Sequence, residues 1–170
     1  VHLPLGEGSP AVELDVAQAQ VRRRGADDRR PRIPAGVLDL RAALDAVYRA
    51  HPDSPRLRIG HLSAQRGGKL SPHKSHQSGR DVDTSYYYKA DQPFRWYRPA
   101  NADSLDRART WTFVRALLTD TDVEWIFINT SVQKLLMDYA LSIGEDREWL
   151  DSVFQYGSRH PWPLIRHAHG

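Results

Sequence analysis

Residues 71–83 read Ser-Pro-His-Lys-Ser-His-Gln-Ser-Gly-Arg-Asp-Val-Asp, two histidines and two aspartates placed around one glycine. His76 and Asp83 stand seven residues apart, and a bend at Gly79 between them turns a loop back against a strand. An imidazole and a carboxylate then face one point, a ligand pair suited to Zn²⁺, which keeps one position open for water where it is catalytic. Asp81 and Asp83 alternate around Val82, so on a strand the two carboxylates share a face and Val82 takes the other. On residue chemistry alone a solvated His-rich loop stays open beside the metal reading.

The spacing His76-x6-Asp83 with its inner glycine resembles the first half of the metal signature of the LAS peptidases. That group takes in lysostaphin-type enzymes, D-Ala-D-Ala metallopeptidases and the hedgehog signalling domain. Within it, the stretch is most similar to the penicillin-insensitive murein endopeptidases. Three further stretches carry the likeness: Gln65-Arg66-Gly67-Gly68, His73-Lys74-Ser75-His76-Gln77 and Ile126-Phe127-Ile128-Asn129. It runs from about residue 59 towards the C-terminus.

The resemblance implies a zinc-dependent endopeptidase that cuts peptide cross-links of peptidoglycan by metal-activated water, in the periplasm or outside the cell. It implies His76 and Asp83 as metal ligands and His73 at the rim of the site, where it holds substrate or stabilises an oxyanion. Asp81 is expected to orient a metal-bound imidazole, and Gln65 and Arg66 match a conspicuous family stretch. The family's third ligand is the second histidine of a His-x-His on a C-terminal strand, and the first stands beside the bound water. His167-Ala168-His169 has that spacing, but residues 164–167 look like the segment just before that strand. The family's pair is therefore expected beyond Gly170, with the domain cut short before its last strand. His169 as third ligand, with His167 near the water, is the other arrangement.

Working outward, Val37, Leu40, Leu44, Val47 and Tyr48 fall on one helical face that His51-Pro52 ends. Leu57, Ile59 and His61 alternate with Arg56, Arg58 and Gly60 as on a strand, and His61 reads as a structural histidine on its apolar side. Residues 81–86 and 123–128 read as two more strands, the latter buried on both faces. Asp103 or Ser104 can cap a helix striped by Leu105, Ala108, Trp111, Val114 and Leu118. Asn129-Thr130-Ser131 caps the next helix, with Gly144 as its C′ residue, and a short helix around Trp149, Leu150 and Val153 follows. The fold expected is α+β, a small and mainly antiparallel sheet flanked by helices, and the resemblance adds that it is hedgehog-like and D-Ala-D-Ala-peptidase-like. The aromatic loop after residue 88 offers Tyr86, Tyr88, Trp96 and Tyr97 either to a substrate groove or to the core edge.

Residues 1–35 read as an N-terminal arm or linker ahead of a domain spanning 36–170, with Val12, Leu14 and Val16 as a possible edge strand. Six arginines from Arg22 to Arg32 stand beside five acids within residues 1–35, a mixed-charge surface that argues against nucleic acid as partner. Across 170 residues the formal charge is +3, which attracts an acidic polymer only weakly. Zero cysteines excludes disulfides and thiolate metal sites, so any ion here takes His, Asp or Glu. No run is apolar for the roughly 18 residues a membrane span needs. The opening residues show no basic segment followed by an apolar core, and a start at Val1 leaves export open. Beside the peptidase stands one alternative: an inactive module that keeps the fold and binds cell-wall peptide or a protein partner.

Overall fold

The computed structural model describes residues 19–23, 35–62, 68–69, 81–89, 99–154 and 164–166. The fold is α+β. Its described elements are β1 (Ala19–Arg23), α1 (Ala35–Ala50), β2 (Asp81–Thr84), α2 (Arg107–Thr119), β3 (Val123–Phe127), α3 (Thr130–Ser142), α4 (Arg147–Val153) and β4 (Leu164–Arg166). The strands form an antiparallel sheet in the order β2-β1-β3-β4. β1 comes from the stretch read as an arm, yet it is an inner strand, with Val21 opposite both Val82 and Ile126. The charge count hid it: four of the five residues from Ala19 to Arg23 are Ala, Gln or Arg.

Residues 57–61 do not form a full strand. They run along the outer edge of β2 through a single bridge, Ile59 with Thr84, and backbone hydrogen bonds on either side of it. Residues 164–166, read as the lead-in to a strand, are themselves the edge strand β4 beside β3. The aspartates do sit on a strand: all four residues of β2 are buried.

The helices follow their apolar stripes. α1 buries Leu40, Ala43 and Val47 but leaves Tyr48 exposed, because Tyr48 lies at the rim of the stripe. α2 packs between α1 and α3 and buries Trp111, Val114, Leu117 and Leu118. Its cap is Asp106 and not Asp103 or Ser104, with the Asp106 side chain accepting from Arg109 N. The two earlier residues belong instead to a turn in which Asn101 Oδ1 accepts from the backbone of Asp103 and Ser104. Asn129 caps α3 by accepting from Ser131 N. That helix ends in a Schellman motif: Glu145 N donates to Ala140 O, Gly144 N to Leu141 O, and Gly144 takes the positive φ of 86° that only glycine adopts freely.

Two polar nodes lock the layers. Arg109 donates to Asp106, to Asp53 and to Ser54, tying the start of α2 to the turn after α1. Glu145 accepts from Trp111 Nε1 and Arg115 Nε, while Trp111 stacks on Phe154 and meets Trp149 edge-on. Val123, Ile126 and Ile128 are buried against this layer, whereas Glu124, Trp125 and Phe127 are half-buried, so β3 is fully buried on one face only. No described helix is long and apolar enough to cross a membrane.

Candidate functional site

Asp81 and Asp83 are buried carboxylates two residues apart on β2, with Val82 also buried between them. Asp83 is gripped from both sides. On the inner side its strand pairs with β1, where Gln20 lies opposite it. On the outer side Gly60 N donates to Asp83 O at 2.7 Å, and Asp83 N donates to His61 O at 3.0 Å.

The grip reaches the side chain. A Cβ placed on Gly60 would lie 3.1 Å from Asp83 Cβ, so the absent side chain at residue 60 is what lets the two segments close. The neighbouring imidazole then comes beside the carboxylate, with His61 Nδ1 4.0 Å from Asp83 Oδ2. His61 is not the structural histidine that the alternation suggested, since its side chain is 53 % exposed while that of Asp83 is 4 %. Gly60 donates to Asp83 O and His61 accepts from Asp83 N, so two residues stand opposite one and the period-two pattern no longer dictates which side His61 faces. Sequence reasoning missed this residue as a site member. Its available signal was the Gly60-His61 pair at the end of an alternating run.

Of the residues named from sequence, Asp81 and Asp83 are brought together on β2. Gln65, Arg66, His73, His76, His167 and His169 lie outside the described residues, as do Trp96, Tyr97 and the stretch Val12 to Val16. Among the described residues no group of three or more His, Asp or Glu side chains could hold a metal. The donor chemistry at Asp83 nonetheless fits a zinc ion: an oxygen ligand fixed by backbone bonds on both sides, with an imidazole at hand and no thiol needed.

Tyr86 is buried in the core, while Tyr88 is half-buried and bridges to Leu105. Burial pushes the Tyr86 and Tyr87 phenols well above the usual tyrosine range. For Tyr86 the nearby Asn129 backbone opposes that rise and Tyr88 adds to it. For Tyr87 the nearby Tyr48 adds and Arg109 opposes. An open cavity of about 290 Å³ lined by Lys134, Met137, Asp138, Leu141, Arg147 and Asp151 includes none of the residues named for the metal.

Residues 36–162 match the family model described as penicillin-insensitive murein endopeptidase. A penicillin-insensitive murein endopeptidase of Yersinia pestis bv. Antiqua is 30% identical over 95% of this chain and 60% of its own length. The same figures hold for that of Yersinia pseudotuberculosis serotype I. The one from Pectobacterium atrosepticum is 32% identical over 65% of this chain and 42% of its own length. The chain thus spans about 60% of the length of the Yersinia relatives. No solved structure matches it.

Proposed function

Since this chain belongs to the penicillin-insensitive murein endopeptidase family, we propose that it serves a zinc-dependent peptidase that hydrolyses the peptide cross-links of peptidoglycan. The domain on this reading is of the hedgehog and D-Ala-D-Ala peptidase type. The observation that supports it most directly is Asp83: a buried carboxylate clamped by backbone bonds and flanked by an imidazole, inside the matched region. A carboxylate with so little exposure is costly to bury unless it works with a cation or with hydrogen bonds. The substrate places the protein in the periplasm or outside the cell.

His76 and Asp83 would hold the ion with the second histidine of the family's His-x-His, for which His169 is only the second-choice candidate. When bound, zinc supplies Lewis acidity to the scissile carbonyl and to the attacking water. The remaining work falls to side chains. Asp83 presents its oxygen from a strand that cannot slip without breaking pairing on two edges. Asp81, two residues away on the same buried strand, is suited to orient a ligand imidazole through its other ring nitrogen. His73 would hold substrate or stabilise the developing oxyanion, and the first histidine of the His-x-His, His167 in the second-choice arrangement, would take a proton from the attacking water and pass it to the leaving amine. Gln65 and Arg66 would either meet the substrate or support the metal-binding side chains.

The experiment is digestion of purified peptidoglycan by the wild-type protein, by His76→Ala and by Asp83→Ala, each with and without a metal chelator. Release of cross-link peptides that stops with the chelator and in both variants supports the reading. Undiminished release in either variant removes the zinc mechanism. Binding to peptidoglycan without any cleavage would favour the inactive binding module.

A further inference from the structure

We propose that His61 is a positioning residue for Asp83, holding one carboxylate oxygen so that the other is presented to a divalent cation; this rests on the reading of Asp83 as a metal ligand. Three observations converge on the pair. The backbone of residues 60–61 is bonded to that of Asp83 in both directions, so the two segments cannot drift apart. Gly60 packs directly on Asp83 Cβ, which fixes the root of the carboxylate. His61 Nδ1 then lies 4.0 Å from Asp83 Oδ2, an oxygen with almost no exposed surface.

That separation exceeds direct hydrogen-bond reach, and a small rotation of the half-exposed ring closes it. A carboxylate has two equivalent oxygens and can swing between one-oxygen and two-oxygen ligation. A donor held against Oδ2 removes that freedom, as partners of metal-binding carboxylates do elsewhere. Because more than half of the His61 side chain faces solvent, its removal leaves no void in the core. Its part is therefore separable from folding.

The test measures Zn²⁺ affinity, by competition with a chromophoric chelator, for the wild-type protein, Asp83→Asn, His61→Ala and His61→Asn. The visible spectrum of the Co²⁺ form and the metal-free Tm are recorded for each. The proposal expects Asp83→Asn to lose Zn²⁺ binding, and His61→Ala to bind about ten-fold more weakly with an altered Co²⁺ spectrum. His61→Asn, which keeps a donor near the Nδ1 position, should recover most of the affinity, with metal-free Tm unchanged throughout. Loss in Asp83→Asn together with wild-type affinity in His61→Ala overturns the role of His61 alone. Wild-type affinity in Asp83→Asn overturns the metal reading beneath it, and the proposal with it. Loss in His61→Ala as complete as in Asp83→Asn makes His61 a ligand and overturns positioning. A lower metal-free Tm in His61→Ala with no recovery in His61→Asn makes the residue merely structural.

Discussion

Replacing Gly60 should damage the site while sparing the fold, and the structure sets the size of both effects. A Cβ at residue 60 meets Asp83 Cβ at 3.1 Å, about 0.3 Å short of the nearest ordinary carbon contact. Gly60→Ala must open that gap. The 2.7 Å backbone bond can lengthen by that amount within the usual range, while the 3.0 Å bond is stretched slightly past it and weakened rather than broken. Residual overpacking costs about 1 kcal/mol, and the stiffer unfolded chain returns about 0.4–1 kcal/mol, so net stability should change little. The site has less slack. Either residues 59–61 move outward and carry the His61 ring off Asp83, or the carboxylate turns, and metal bonds tolerate only about 0.2 Å. Since loss of a group that orients a metal ligand costs about 10–100-fold in metal affinity, Gly60→Ala should weaken Zn²⁺ binding a few-fold and Gly60→Val, which adds two further methyls, about ten-fold or more. The assay pairs Zn²⁺ competition titrations with urea unfolding under chelator. Wild-type Zn²⁺ affinity in Gly60→Val would refute the close contact as a determinant of the site.

Asp106→Ala removes the α2 cap and one arm of the Arg109 node, and should lower stability in urea by about 1–2 kcal/mol; Asp106→Asn, which keeps the cap acceptor, should lose less than half of that. The buried Tyr86 and Tyr87 phenols have raised folded pKa values. Their contribution is therefore complete below the unfolded tyrosine pKa of about 10 and is lost as pH rises above it. Unfolding midpoints should fall on the alkaline side of pH 10, and less steeply in Tyr86→Phe; a flat profile there would contradict the burial of both hydroxyls.

The sequence was most legible where one physical signal acted alone. The Asn129 cap and the Gly144 terminus of α3 each follow from local chemistry, and both stand in the structure. The α2 cap was legible only to within a turn, because Asp103, Ser104 and Asp106 all carry capping oxygens and Asn101 recruits the first two into its own turn. β1 was not legible, since an inner strand with Val21 as its sole large apolar residue offers no alternation and sits among arginines. Of the site, the shared strand of Asp81 and Asp83 followed from their spacing. The partnership of His61 with Asp83 did not, because it depends on how two distant segments pair across Gly60.

The position of β1 also dictates an order of assembly. This strand leaves the ribosome before either of its partners, and both of its edges are filled by segments made much later, β2 and then β3. Until they arrive neither of these two partners is available to it, whereas α1 can form from its own neighbours. Non-local pairings of this kind slow folding, because loop closure must precede any gain from contact. They also leave β2 and β3 with open edges until β1 slots between them, a window in which another chain could pair there instead. Folding in this topology therefore depends on residues 19–23 staying soluble and unpaired until then, and the arginines that conceal β1 from a reader of the sequence are suited to keep it so.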